Sequence, residues 1–188
     1  MAARRTIFLD KDGTLIPDIP YNVDTRLITL SPCSIQGLKK LQSRGFTFIV
    51  VTNQSGIAEK RFSHESVCKV GVRLKVLLEE QGINLLDFYY CPHAATDDMF
   101  LSAFSCKCRK PKAGMLLQAA SDHDIDLHSS WMIGDILNDV QAGNAAGCKT
   151  ILVDNGNETV WKMDWKRVPD MIVPTIDAAA QFIIGTDG

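Results

Sequence analysis

The fold is decided by the stretch Ile7-Phe8-Leu9-Asp10-Lys11-Asp12-Gly13-Thr14-Leu15, in which a short apolar run stops at two carboxylates. An apolar run of this length predicts a buried strand, and side chains two residues apart on an extended chain point to the same side. Asp10 and Asp12 are therefore placed to hold a divalent cation together and to leave one oxygen free to attack. Gly13 allows a sharp turn after them. An ordinary Asp/Gly turn has the same composition, so the rest of the chain must distinguish the two interpretations.

The bulk composition limits the classes of protein to which the chain can belong. Its 188 residues suffice for one well-filled core, so we expect a single domain over residues 1–188. A net charge of −2 provides neither a nucleic-acid-binding face nor a polybasic membrane-binding tail. No apolar stretch could span a bilayer, and the first residues lack the pattern of a signal peptide. We expect a cytoplasmic protein whose six cysteines are reduced or metal-bound, and a monomer, because no exposed apolar repeat indicates an interface.

Apolar runs of strand length alternate with segments of helical periodicity along the chain. This alternation predicts an α/β protein with a three-layer, Rossmann-like fold, in which helices cover both faces of a mostly parallel sheet. The predicted strands lie near 6–9, 46–51, 85–90, 131–133, 150–153 and 171–173. The predicted helices run from a Ser31 N-cap with Pro32 at N1 to Gly45, from a Ser63 cap to Gly82, and near 114–123, 136–146 and 176–184. Ligands of such sheets bind beyond the carboxyl ends of the strands.

Three further segments carry groups that suit a phosphoryl group. Thr52-Asn53-Gln54-Ser55-Gly56 ends the second predicted strand with hydroxyl, amide and glycine groups, which can donate hydrogen bonds to phosphate oxygens. Cys108-Arg109-Lys110-Pro111-Lys112 supplies cations, and Trp131-Met132-Ile133-Gly134-Asp135 is another apolar strand that ends at a carboxylate. Asp139 follows Asp135 by four residues, on the same face of a helix. Taken alone, the first of these segments is equally typical of a polar loop with a turn glycine.

Together the four segments resemble the ordered motifs of the haloacid dehalogenase superfamily of phosphatases. The matching residues are Asp10-Lys11-Asp12-Gly13-Thr14, Thr52-Asn53, Lys110, and Gly134-Asp135 with Asp139. The resemblance extends over nearly the whole chain. It implies the haloacid dehalogenase form of the Rossmann-like fold, phosphatase activity and dependence on Mg²⁺.

The resemblance also implies a role for each motif residue. Asp10 is expected to be the nucleophile that forms an aspartyl-phosphate, and Asp12 to protonate the leaving alkoxide and then deprotonate the hydrolytic water. For Asp139 two alternatives stay open: it orients a metal-bound water, or it only caps or solvates a helix. Mg²⁺ is expected to be held by Asp10, the main-chain carbonyl of Asp12 and Asp135, and the transferring oxygens by Thr52 and Lys110.

Four soft ligands form a CxH…CxC set at Cys91, His93, Cys106 and Cys108. Four such ligands that close one loop, residues 91–108, predict a structural, tetrahedral Zn²⁺ site. Two unrelated pairs of reduced cysteines, or a disulfide, are the alternatives, and a cytosolic setting with a histidine in the set disfavours both. Because Cys108 directly precedes Arg109 and Lys110, Zn²⁺ would fix the backbone that carries the phosphate-binding cations.

The zinc loop narrows the resemblance to the branch with the D-glycero-D-manno-heptose 1,7-bisphosphate 7-phosphatases and the histidinol-phosphate phosphatases. It implies substrate contacts from Asp18, Tyr21, Asn53, Gln54, Ser55 and Arg109. The chain departs from the heptose pattern at three places, which are Ile19-Pro20, Glu59 to Arg61, and Ile136 in place of a lysine. Losing a cation beside the metal would weaken contact with a second phosphate, so the departures bear on the substrate rather than on the chemistry.

Residue spacing leaves no room for a separate cap domain, because residues 15–47 and 56–108 each hold little more than one helix and a loop. We therefore expect an open active site whose specificity comes from short loops. The leading hypothesis is a phosphatase of small phosphorylated sugars, with a heptose bisphosphate as the substrate and histidinol phosphate as the alternative. A hypothesis of a different class is a non-enzymatic module that binds phosphate and zinc. A nucleic-acid 3′-phosphatase is disfavoured by the net charge of −2.

Overall fold

Six parallel strands form one sheet in the computed structural model, which describes residues 3–95 and 106–187. The strands are β1 (Thr6–Leu9), β2 (Thr47–Asn53), β3 (Leu85–Cys91), β4 (Trp131–Gly134), β5 (Lys149–Val153) and β6 (Met171–Val173). Their order across the sheet is β3-β2-β1-β4-β5-β6. The predicted α/β class is confirmed, and each strand pair among the described residues is parallel.

Five α-helices of the described chain connect these strands, with short 3-10 turns at Thr25–Leu27 and Leu127–Ser129. Helix α2 begins at the predicted cap, since Ser63 Oγ accepts a hydrogen bond from Ser66 N. The predicted start of α1 at Ser31 is wrong, and its N-cap is Ser34. Ser31 is instead held by the first motif, because its N–H donates to Leu15 O. The helices are α1 (Ile35–Ser43), α2 (His64–Glu80), α3 (Gly114–His123), α4 (Leu137–Ala146) and α5 (Ile176–Thr186).

The core has two layers, one on each face of the sheet. Successive residues of β1 point to opposite faces, so Ile7 and Leu9 pack in one layer and Phe8 in the other. Helices α1, α2 and α5 cover the first face, and α3 with part of α4 covers the second. All four residues of β1 are buried, which explains why that strand reads as an unbroken apolar run.

The strand order places the end of β1 at the point where the connections reverse direction across the sheet. β1 lies between β2 and β4, and Asp10 N extends the pairing by donating to Ile133 O at 2.9 Å. In open α/β sheets this position opens a crevice at the carboxyl edge, where ligands bind. The first and fourth motifs therefore meet beside Asp10. Among the residues described, none of the helices has the length and apolarity required to cross a membrane.

Candidate active site

A buried lysine links two of the motif carboxylates. Lys110, 3% exposed, donates from Nζ to Asp10 Oδ1 and to Val51 O at 2.9 Å, and it lies 2.6 Å from Asp139 Oδ1. Burial alone lowers the pKa of this lysine, but the charges of Asp10 and Asp139 outweigh burial and raise its pKa above the ordinary value. Lys110 is therefore a fixed cation directly beside the predicted nucleophile.

Three carboxylates crowd around this single cation. The carboxylate oxygens of Asp10, Asp135 and Asp139 lie within 4.8 Å of one another, and all three residues are buried. Burial, followed by the charge of Asp10, raises the pKa of Asp135 to about 6. Burial and the same neighbouring carboxylates raise the pKa of Asp139 to about 7, against the opposing effect of Lys110. The cluster carries more negative charge than Lys110 neutralises, and hard oxygen donors at this spacing fit a divalent cation such as Mg²⁺.

Asp139 is fully buried, and its two predicted roles, orienting a metal-bound water or capping a helix, both stay predictions. Its Oδ2 accepts a hydrogen bond from Ile136 N at 3.3 Å, at the start of α4. Its Oδ1 faces Lys110 as an ion pair without the direction of a hydrogen bond, which leaves that oxygen's hydrogen-bonding capacity unused. Asp139 thus contacts the start of α4 and shares the lysine with Asp10.

Asp12 lies outside the three-carboxylate cluster, with its side chain 29% exposed. Lys11 Nζ lies 2.7 Å from Asp12 Oδ1, and Gln54 Nε2 donates to Oδ2 at 3.2 Å. Burial, opposed by Lys11 and assisted by Asp10, raises the pKa of Asp12. A raised pKa suits a carboxyl group that must give up and regain a proton. The expected metal contact of Asp12 through its main-chain carbonyl stays a prediction.

Asn53 and Gln54, expected to contact substrate, form internal braces. The Asn53 side chain accepts from Lys110 N at 3.0 Å and donates to Lys110 O at 3.1 Å. Gln54 Nε2 also donates to Thr52 Oγ1 at 3.0 Å, and Thr52 is 1% exposed. These contacts use the amide groups to set the backbone of Lys110 and the side chains of Thr52 and Asp12.

Two adjoining cavities open at this edge of the sheet. The first, of about 210 Å³, holds the reactive groups, and its lining includes Asp10, Asp12, Thr52, Lys110, Asp135 and Asn157. The second, of about 220 Å³, lies beside it and shares Asp12, Asp18 and Asn53 with the first. The loops of residues 18–22 and 53–56, with Lys11 and Phe62, line the second cavity. Asp18, Tyr21 and Ser55 therefore line a cavity that a substrate could enter, and their contacts with substrate stay a prediction.

Arg109 is not among the residues that line either cavity. Its Nη1 donates to the main-chain carbonyl of His93 at 2.9 Å, which ties the guanidinium to the predicted zinc loop. The substrate contact expected of Arg109 was an implication of the family resemblance, and it stays a prediction. In the folded chain the two cations point to different partners, and only Lys110 reaches the reactive groups.

The four predicted zinc ligands come together at the end of β3. Their ligand atoms lie within 4.8 Å of one another, so one ion could reach all of Cys91, His93, Cys106 and Cys108. The Cys91 sulfur lies 3.1 Å from that of Cys108 and 3.6 Å from that of Cys106, both too long for a disulfide, and all three cysteines are free thiols. Burial raises the pKa of the Cys91 thiol, so a thiolate there requires a cation. Residues 96–105 of this loop lie outside the described residues.

Two asparagines that follow β5 also reach the site, and the sequence analysis missed them. Asn155 Nδ2 donates to Gly13 O at 2.5 Å, and Asn157 Nδ2 donates to Asp135 Oδ2 at 2.7 Å. Thr14 Oγ1 donates to the other oxygen, Asp135 Oδ1, at 2.9 Å. The available signal was the polar segment directly after the β5 strand, since the ends of β1, β2 and β4 at the same edge of the sheet all carry candidate groups.

The chain is also similar in sequence to known proteins of one family. A family model described as "HAD-hyrolase-like" matches residues 107–179. The chain is 36% identical over 183 residues to a D-glycero-beta-D-manno-heptose-1,7-bisphosphate 7-phosphatase from Pasteurella multocida, with 97% of this chain and 98% of that one covered. It is 33% identical over 156 residues to a D-glycero-alpha-D-manno-heptose-1,7-bisphosphate 7-phosphatase from Photorhabdus laumondii, with 82% and 85% covered.

Among solved structures, the chain is similar to a D,D-heptose 1,7-bisphosphate phosphatase from B. bronchiseptica, crystallised with magnesium and phosphate. The TM-score is 0.81 at 28% sequence identity, and the match covers 97% of this chain and 99% of that one. The match therefore extends over nearly the whole length of both chains.

Proposed function

Since the chain belongs to the haloacid dehalogenase superfamily, in the family of the D-glycero-D-manno-heptose-1,7-bisphosphate 7-phosphatases, we propose that it removes the 7-phosphate from such a heptose bisphosphate. The enzyme is a phosphoric monoester hydrolase. The observation that carries the proposal is the buried pair of Asp10 and Lys110 beside Asp12, at the mouth of a cavity suited to a small substrate.

The reaction proceeds in two displacements at phosphorus. Asp10 attacks the phosphoryl group, the bond from phosphorus to the sugar oxygen breaks, and Asp12 protonates the departing alkoxide. Asp12, now a carboxylate, takes a proton from water, which attacks the aspartyl-phosphate and releases inorganic phosphate with Asp10 restored. Lys110 and Thr52 stabilise the charge that develops on the transferring oxygens.

The residues of the carboxylate cluster fit a resident metal. Asp10, Asp135 and the main-chain carbonyl of Asp12 would hold Mg²⁺, which supplies positive charge to the phosphoryl oxygens when it is bound. The related heptose phosphatase that crystallised with magnesium and phosphate supports this choice of ion. Lys110, buried and charged, neutralises part of the same cluster from the other side.

A structural Zn²⁺ at Cys91, His93, Cys106 and Cys108 is the second metal that we propose, within one phosphatase domain that has no separate cap. We expect one zinc per chain by elemental analysis of protein purified without chelator. Cys106→Ser should lose that zinc and lower kcat, because Lys110 lies two residues beyond Cys108. Cys33→Ser is the matched control, since Cys33 is an exposed free thiol outside the cluster.

The identity of the substrate within this class depends on the second cavity. Relatives that act on the alpha and the beta anomer both resemble the chain, so either anomer is a candidate. Histidinol phosphate is the alternative, and one observation favours it: the Asp18 carboxylate lines both cavities and would attract an ammonium group. A non-enzymatic phosphate-binding module would not need a nucleophile, a proton carrier and a buried cation in contact.

Turnover of purified protein with both heptose bisphosphate anomers and histidinol phosphate tests the proposal. We expect Mg²⁺-dependent release of one phosphate from a heptose bisphosphate, and loss of turnover in Asp10→Asn with unchanged thermal stability and zinc content. Activity retained by Asp10→Asn would contradict the mechanism. Preferential turnover of histidinol phosphate would support the mechanism and would show that the proposed heptose substrate is wrong.

A further inference from the structure

The β5–β6 loop, residues 154–170, reaches the carboxylate cluster through one side chain. Asn157 Nδ2 donates to Asp135 Oδ2 at 2.7 Å while Thr14 Oγ1 donates to Oδ1 at 2.9 Å. Each oxygen of Asp135 therefore has one side-chain donor, and a carboxylate with about four lone-pair sites keeps capacity for a cation. We infer that Asn157 is a positioning residue that fixes the Asp135 carboxylate in the orientation that binds the divalent cation. The inference rests on the magnesium site of the proposed function.

Two neighbouring contacts hold the start of this loop against the site. Asn155 Nδ2 donates to Gly13 O at 2.5 Å, in the turn that follows the nucleophile. Glu158 Oε2 accepts from Leu137 N at 2.7 Å, at the first residue of α4. The N-cap residue of α4 is Ile136, whose side chain has no acceptor, so Glu158 supplies the carboxylate that this helix end favours. Asn157 is thus held between two anchored neighbours.

The far end of the loop is fixed to the same helix. Arg167 donates to Gln141 Oε1 at 2.8 Å and to Asn138 Oδ1 at 3.2 Å. Asn144 Nδ2 donates to the carbonyls of Lys166 and Val168 at 2.9 and 3.0 Å. The loop therefore runs along α4 from the carboxylate cluster to the C-terminal half of the helix. This attachment keeps Asn157 at a defined distance from Asp135.

The packing around Gly13 shows how closely Asn157 and Asp135 are fitted. A Cβ atom built on Gly13, which has φ +79°, would lie 2.1 Å from Asp135 Oδ2 and 2.3 Å from Asn157 Nδ2. Both side chains occupy the space that a side chain at residue 13 would need. Removing an outer group that orients a metal-binding side chain in this way typically lowers metal affinity by about 10- to 100-fold.

Calorimetric titration of Mg²⁺ alone into the full-length protein tests the inference. Asn157→Ala should weaken Mg²⁺ binding by about tenfold or more, with an unchanged thermal midpoint in metal-free buffer. Asn157→Asp keeps the size of the side chain but places a carboxylate oxygen against Asp135, and it should weaken binding as well. Thr159→Ala is the matched control, because Thr159 is an exposed residue of the same loop.

The outcomes separate this inference from the proposed function. If the wild type binds Mg²⁺ and Asn157→Ala binds it with the same affinity, only the positioning role is overturned. Tighter Mg²⁺ binding by Asn157→Asp would also overturn it, because residue 157 would then act as a direct ligand. A wild-type protein that binds no Mg²⁺ would overturn both the inference and the proposed magnesium site. Failure to hydrolyse heptose bisphosphate, with these binding results as expected, would overturn only the substrate.

Discussion

At the scale of single residues, the site depends on side chains that hold other side chains. Lys110 can stabilise a phosphoryl group only if its ammonium lies beside Asp10, and its own backbone is held by two hydrogen bonds with the Asn53 side chain, one donated and one accepted by Asn53. Asn53 in turn ends β2, next to β1, the strand that precedes the proposed nucleophile Asp10. The Asn53 side chain therefore ties the position of Lys110, the proposed catalytic cation, to the end of β2.

Replacing Asn53 should damage turnover more than substrate binding. Asn53→Ala removes both hydrogen bonds to Lys110, and a displacement of the lysine by about 1 Å would lower kcat by on the order of 100-fold. Asn53→Asp keeps the acceptor for Lys110 N and loses the donor, so its kcat should be intermediate. Steady-state kinetics with the same substrate measure both variants. An increase in KM with unchanged kcat would instead indicate a direct contact between Asn53 and substrate.

At the scale of elements, two loops that line the second cavity are joined at its rim. The Arg61 guanidinium carbon lies 4.0 Å from the centre of the Tyr21 ring, and Arg61 Nε lies 2.7 Å from Glu59 Oε2. Tyr21 and Lys60 both adopt positive φ, at 56° and 57°, which fixes the two loop tips in a conformation that few side chains adopt. Arg61, one of the residues that depart from the heptose pattern, thus contacts the loop that holds Ile19 and Pro20.

Breaking this contact should affect substrate binding selectively. Arg61→Ala removes the stacking on Tyr21 and the ion pair with Glu59, so the loops lose their common position. We expect KM to rise by about three- to tenfold with kcat nearly unchanged, since the effect of one exposed cation–π contact is modest. Arg26→Ala is the control, because Arg26 forms a similar exposed ion pair with Asp24 outside both cavities. An equal fall in kcat would show that the loops also position the reacting groups.

The elements themselves followed from local sequence more closely than the side-chain directions did. Each buried strand of the parallel sheet is an apolar run with polar residues at its end, so strands and candidate groups could be predicted together. Ser31 has the composition of an N-cap, but a long-range bond to Leu15 holds it outside the helix. Arg109 turns to the His93 carbonyl, and Asn157 reaches Asp135 across 22 residues. Such directions depend on tertiary partners that no local pattern specifies.

At the scale of the whole molecule, the sheet concentrates acidic groups at one point of its carboxyl edge. The fold brings Asp10, Asp135 and Asp139 together from two strand ends and a helix. Burial raises the pKa of Asp135 to about 6 and that of Asp139 to about 7, from an ordinary value of 3.8. The metal-free folded chain therefore binds protons more tightly than the unfolded chain between about pH 4 and 7.

Stability without Mg²⁺ should consequently fall as pH rises through this window. The free energy of unfolding in magnesium-free buffer should be on the order of 1–3 kcal/mol higher at pH 5.5 than at pH 7.5, by denaturant titration. Carboxylates with lowered pKa, such as Asp24, lose their charge only below this range. Adding Mg²⁺ at pH 7.5 should restore the free energy of unfolding that is lost between pH 5.5 and pH 7.5. Asp135→Asn should make that loss smaller. A metal-free wild type that becomes more stable from pH 5.5 to 7.5 would contradict this expectation.

The pairing of β2 with β3 limits where the chain tolerates insertions and deletions. Asn53 pairs directly with Cys91, and Gln54 N donates to Cys91 O at 2.8 Å, so the brace of Lys110 adjoins a member of the cysteine–histidine cluster. Deleting one residue between Asp87 and Tyr90 would turn the following side chains to the opposite face of the sheet. The irregular pairing beside Phe48 and Ile49 already absorbs one extra residue before these positions. The Asn53 brace of Lys110 and the cysteine–histidine cluster therefore share one length constraint along β3, and a change in the spacing of either should displace the other.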